Sequence, residues 1–372
     1  MNAQLCISDN AQDMLHIVDL GSMQLRTSTA VGAGPYPADL IRPDLVLVST
    51  RGEATASPVQ VVDGAALPKI CLSHKPRSTT KHPTKPLALV GGADKALTTV
   101  LDTGALAVVT SVGSGRSDSR RDFGGGLACG HPAWGPEDTI IHLDRIERRI
   151  ELYEIGKPER IASINLPTSA HHVTRMGSDY LVLCEGNPTS RIAPSVARVQ
   201  ITGQSLAIAA HRFLPVPRLQ QSRSGGHHLT YDSHRDRVYV GTNDGRLYTL
   251  QGPNLDVVNF FDAGPGCGHV TLCADIGLAV TTNHTGPLMT VFDLDAGAVT
   301  GSIAVSGPSS GGKKTQGHTS KWFSDSSRLI TTAAQEGRVL EIDPTSRTIT
   351  REVSVQGGYL IQGCFAEVDN GS

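Results

Sequence analysis

Aromatic residues are scarce, only 4% of 372, and nowhere do eighteen apolar residues run together. A spanning helix is thereby excluded. Net charge is also nearly absent: a formal −2 gives no field that argues for nucleic acid or a membrane surface as partner. The first twenty residues hold Asp9, Asp13 and His16 and lack the cationic start and apolar core of a secretory leader. The expected address is therefore the cytoplasm. Seven cysteines, an odd number scattered along a long chain, read as reduced thiols rather than a disulfide framework. Neither His-Glu-x-x-His nor Cys-x-x-Cys occurs, and no glycine-rich phosphate cradle precedes a helix.

Glycine (40) and proline (21) are plentiful instead, which suits a chain with many turns. Residues 316–355 hold four short β-rich runs separated by turn clusters at 324–327, 335–337 and 344–346. The pattern recurs upstream in copies that begin at Gly266, Gly225, Ala170, Gly130 and Lys81, each opening with a histidine. A further copy near Tyr36 lacks that histidine, and a last one is split, with an inner strand at 360–368 and three outer strands from 4–31. A period of about 46 residues points to propeller blades. The expectation is a single all-β domain over 1–372: a β-propeller of eight blades, closed by pairing N- and C-terminal strands in one blade. Seven blades remain the alternative if the cramped copy at Lys81 is an excursion.

In a propeller the innermost strand of each blade lines the central channel, so residues at its start lie on one rim. His82, His131, His171, His172, His227, His228, His269 and His318 stand near such starts and are the candidate metal ligands. Cys364, His284, Cys129 and Cys267 are reserves; the two Cys-Gly-His runs would put thiol and imidazole on one strand face. Turns between second and third strands return to the same rim and carry Asp144, Glu185, Asn243 and His284 among others. Basic loops before the rim histidines offer Arg116, Arg120, Arg121, Arg223 and Lys313 to a small anionic ligand or substrate. Gly-His also opens WD-type blades, where the histidine is structural, but the closing WD dipeptide is absent; Phe292-Asp293, Glu341-Ile342 and Tyr153-Glu154 stand in its place. Imidazoles beside a carboxylate or thiolate suit zinc first, with copper and iron close behind.

The eight-blade count, the strand-opening histidines and residues 170–201 resemble the bacterial zinc metallochaperone propellers that serve ABC-type zinc uptake. The resemblance implies zinc held by histidines and acidic residues at one mouth of the channel, here through His171, His172, His228 and His269. That family also carries a leader and a histidine-rich N-terminal arm, whereas residues 1–20 here read as strand, so the implication reaches metal binding rather than delivery. Two functions follow. One is a transition-metal-binding propeller of chaperone or storage type, and the other a cytoplasmic metal-dependent hydrolase, lyase or oxidoreductase acting on a small anionic molecule. No protein partner is specified by the sequence.

Overall fold

The computed structural model describes residues 2–117, 127–187, 189–216, 225–323 and 328–368. Its strands form eight four-stranded antiparallel sheets. The closing blade pairs β1 (Asn2–Asp9), β2 (Met14–Asp19) and β3 (Gln24–Ala30) with the last strand, β32 (Leu360–Val368), which lies innermost. The next three blades comprise β4 (Pro35–Arg42) to β7 (Ile70–Cys71), β8 (Pro76–Lys81) to β11 (Ala107–Val112), and β12 (Ala133–Trp134) to β15 (Arg160–Asn165). Then come β16 (Ala170–Met176) to β19 (Ser205–Phe213), β20 (Gly226–Asp232) to β23 (Asp256–Asp262), β24 (Cys267–Cys273) to β27 (Ala298–Ala304), and β28 (Gln316–Trp322) to β31 (Thr348–Ser354). Among the described residues no helix is long and apolar enough to cross a membrane.

The second strand of each blade explains why the sheets stack into a ring. β5 (Leu45–Thr50), β13 (Ile140–Asp144) and β29 (Leu329–Ala333) are buried at every position, so both their faces are covered by neighbouring blades. Their near-continuous apolar sequences, LVLVST and IIHLD for example, fit that double burial. Outer strands alternate instead, as β31 does between exposed and half-buried positions. The apolar core is accordingly a series of clusters between blades, one of which joins Ile141 and Leu152 to Val182 and Ala197. Hairpins to the outer strand are fixed by aspartates that accept two backbone N–H groups, Asp102 from Gly104 and Ala105, and Asp293 from Asp295 and Ala296.

The ring closes as the sequence implies, with β32 antiparallel to β1 in a register that sets Cys6 opposite Cys364. The copy near Lys81 is a full blade, but its inner strand runs Pro76–Lys81, before His82, and Leu87–Gly92 is its second strand.

Gly130 marks how closely blades approach. A Cβ there would lie 2.6 Å from Leu143 Cδ1 and 2.8 Å from the carbonyl oxygen of Ala170 in the next blade. Gly130→Ala is expected to lower the unfolding free energy by about 1–3 kcal/mol through overpacking, read from urea denaturation; an unchanged midpoint would contradict this contact.

Candidate metal centre

Every inner strand is irregular near its start, and this places the side chains of the site. Pairing jumps from Ala170 to His172 on β16, from Gly226 to Leu229 on β20, from Cys267 to His269 on β24 and from Gln316 to Ser320 on β28. β4, β8 and β32 show the same shift, between Pro35 and Ala38, Pro76 and Ser78, and Leu360 and Gly363. In the fourth blade a bridge at Cys129 is followed by regular pairing only at Ala133. Residues released from the ladder by a bulge can turn their side chains off the sheet normal. Here they turn toward the channel mouth, presenting Tyr36, Arg77, His131, His171, His227, His228, His318 and Gln362 to one cavity of about 200 Å³, which His269, the first paired residue after its bulge, also lines.

The imidazoles meet in two adjoining groups. His227, His269, His284 and His318 can each supply a ring nitrogen within 4.8 Å of the others, and so can His131, His171 and His228. His228 and His269 join the groups, with stacked rings 3.9 Å apart. His172 stands beside the second group, 4.4 Å from the His228 ring. Among the described residues no carboxylate belongs to either group.

Several ring nitrogens in this mouth are buried and have no hydrogen-bond partner among the described residues: Nδ1 of His172 and His227, and Nε2 of His269 and His284. An unsatisfied buried polar atom typically costs about 1–3 kcal/mol, and three of these four lie in the four-histidine group. A divalent metal would satisfy them, so the donor set fits such an ion. His284 is already oriented for it. Its Nδ1–H donates to the Gln316 carbonyl at 3.1 Å, which leaves the Nε2 lone pair facing the group. Gln316 is itself fixed, accepting from Asn283 N–H and donating to the carbonyls of Gly286 and Leu288. Gly268 packs against the same rings; a Cβ there would lie 3.1 Å from His227 Nδ1 and closer still to His284. His171 is oriented by Glu185, whose Oε1 is 2.5 Å from Nδ1 and whose other oxygen pairs with Arg145.

Burial, followed by the positive charges of Arg77 or Lys314, holds His131, His171, His269 and His318 well below the ordinary imidazole range. His172 is lowered to about 4. These rings are therefore neutral at physiological pH, the form that ligates metal.

A cationic wall of Arg51, Arg77 and Lys314 lines the same cavity, in contact with the histidines. Arg51 lies over the Tyr36 ring at 3.9 Å, and the Tyr36 hydroxyl is 3.0 Å from His318. Arg77 reaches His171 at 3.3 Å, and Lys314 Nζ is 2.8 Å from His318 Nε2. Burial lowers Lys314 to about 7 and Arg77 to about 9, which leaves the guanidinium charged at neutral pH.

Of the residues singled out in the sequence, seven rim histidines and the reserve His284 thus share the mouth. His82 does not: it follows the far end of β8, where its Nε2 is 2.9 Å from Asp138 and its ring packs on Trp134. Arg77 takes the rim position of that blade. Cys129 and Cys267 are fully buried, and burial pushes both thiols up to about 12. The bulge between each cysteine and its histidine breaks the alternation that would have put them on one face. Cys364 lies beyond the bulge, packed in an apolar cluster with Cys6, and Gln362 faces the cavity instead. Arg116 pairs with Glu147, and Lys313 sits 5.4 Å over the Tyr359 ring. Arg120, Arg121 and Arg223 lie outside the described residues. Most acidic turns on this rim are engaged in holding backbone: Asp9 accepts from Tyr359 N–H and Asp94 from Lys75 N–H. Gln362 and Arg145 were not foreseen, although Gln362 occupies the same bulge position as the histidines. A third group, His142, Asp144 and Glu151, is wholly buried within the fourth blade; its carboxylates are taken by Ser114, Tyr153 and Arg160.

The depressed imidazoles make stability depend on pH. Below about pH 6.5 the unfolded chain takes up protons that the folded mouth refuses until about 4 at His172. Stability is therefore fully present above the unfolded value and declines as pH falls toward the folded one. The metal-free protein should lose thermal stability between about pH 7 and pH 5, above most carboxylate titration, and His172→Gln should make that loss shallower. A flat midpoint over this range would contradict the burial of the rings.

No family profile and no curated protein sequence matches the chain. Among solved structures, apo AztD from Citrobacter koseri superimposes with a TM-score of 0.69 at 12% identity, covering 99% of both chains. The dihydro-heme d1 dehydrogenase NirN, in complex with DHE, gives a TM-score of 0.68 at 14% identity over 97% of this chain and 74% of the other. A computationally designed protein, Ika8, gives 0.62 at 11% identity over 88% of this chain and 89% of its own. The chain resembles AztD over its whole length, and at these identities the likeness is one of fold.

Proposed function

We propose that this propeller binds a divalent transition metal, zinc first, through the histidines at one mouth of its channel, in a metallochaperone-like or storage role. The observation that carries the reading is the set of buried, unpartnered nitrogens on His227, His269 and His284, within one group of four histidines. All-nitrogen donors suit zinc, copper and iron alike; zinc is preferred because of the sequence resemblance and the shared fold of AztD. The second group supplies a neighbouring position, so an ion could pass from one set of rings to the other through His228 and His269.

A second reading, a metal-dependent enzyme acting on a small anion, is favoured by one specific feature: the cavity between the histidines and the cationic wall. A bound ion with an open position would act there as a Lewis acid toward water or substrate. Seven cysteines without disulfides agree with a reducing compartment, and we keep the cytoplasm as the proposed location.

Protein purified without added metal should carry at least one equivalent of zinc by elemental analysis. His269→Ala combined with His284→Ala should weaken zinc, in competition with a chromophoric chelator, by no less than the roughly 10–100-fold that loss of an outer-shell partner costs. Unchanged affinity in a folded double variant would remove the four-histidine group as the site.

A further inference from the structure

Among the described residues the cationic wall has no carboxylate paired to it directly, and Glu185 acts on Arg77 only from a distance. Arg77 is only 2% exposed; one of its nitrogens donates to the Cys129 carbonyl and another reaches His171. Arg51 donates to the Arg77 carbonyl at 3.3 Å, and its Nε is buried with no hydrogen-bond partner among the described residues. Lys314 meets the His318 ring. None of the three forms an ion pair with a described carboxylate. Glu185, the one carboxylate among the described residues that line the cavity, is already engaged by Arg145 and His171.

A cation withdrawn from water is unfavourable unless an opposite charge or a full set of acceptors replaces its hydration. The partners here are carbonyls, an aromatic face and neutral imidazoles, none of which carries negative charge. A divalent metal on the histidines would add two more positive charges to the same space. The cavity, at about 200 Å³, holds roughly seven water volumes of ~30 Å³, which limits a guest to a few heavy atoms. Guanidinium and ammonium groups are the usual binders of carboxylate and phosphate oxygens.

We propose that Arg51, Arg77 and Lys314 form an anion site facing the histidines, and that it takes a small oxyanion, a carboxylate or a phosphate. The anion's place beside a metal rests on the proposed metal site; the anion site itself rests only on charges carried by this chain. Tyr36, between Arg51 and His318, offers a hydroxyl to the same guest.

The test is calorimetric titration of inorganic phosphate, and separately of acetate, into the full chain stripped of metal by chelator, at constant ionic strength. At least one of the two should bind. Its affinity should fall about tenfold or more, the size of a lost charged hydrogen bond, in Arg51→Gln combined with Lys314→Gln, and in Arg77→Gln if circular dichroism shows that buried variant to fold. Binding should persist in His269→Ala combined with His284→Ala, so that failure of the metal reading leaves this result legible. No binding of either anion to the parent protein, or equal binding by the Arg51/Lys314 variant, would overturn the proposal even if zinc binds.

Discussion

Everything at the mouth depends on the second strands being buried on both faces. Because β5, β13 and β29 are covered completely by adjacent blades, the sheets have no freedom to tilt apart, and the starts of all eight inner strands are held around one axis. The bulge near each start then turns a side chain from the sheet toward that axis. Convergence of the histidines is thus a consequence of packing far from them. A scaffold made rigid in this way can hold rings at a site whose mutual contacts would not hold it alone.

The electrostatics of the mouth follow from that enclosure. Burial keeps the rings neutral, and the nearby Arg77 and Lys314 reinforce the effect. Neutral rings whose nitrogens have no partner among the described residues are ready donors, while the same enclosure makes the arginines beside them costly without an anion and lowers Lys314 to about 7. Each half of the cavity therefore asks for a guest of opposite character, a metal on one side and an oxyanion on the other. The two halves meet where Arg77 reaches His171 and Lys314 meets His318.

Much of the fold was legible because each blade repeats one local pattern, a double-buried apolar run flanked by turns, and because the residues at 4–31 and 360–368 complete one unit between them. The register within a blade was less legible. Lys81-His82 looks like a blade opening, yet Leu87–Gly92 is already the second strand, so the inner strand must precede His82. Alternation along a strand suggested that Cys129 and Cys267 share a face with the following histidines, and the bulges defeat that rule. Residues that fill a histidine position with other chemistry, Gln362 above all, carry no signal until the strands are aligned in space. Arg145 was hidden for another reason: its role is set by Glu185 in the next blade, a partner forty residues away.

The central claim is that imidazoles from separate blades converge on a metal ion. Anomalous diffraction collected at the zinc edge, on crystals of the protein grown with zinc, tests it most directly. The account predicts a peak within bonding distance of ring nitrogens from His227, His269, His284 and His318. A map with its zinc peaks only on outer surfaces of the blades, and none at the channel mouth, would contradict it.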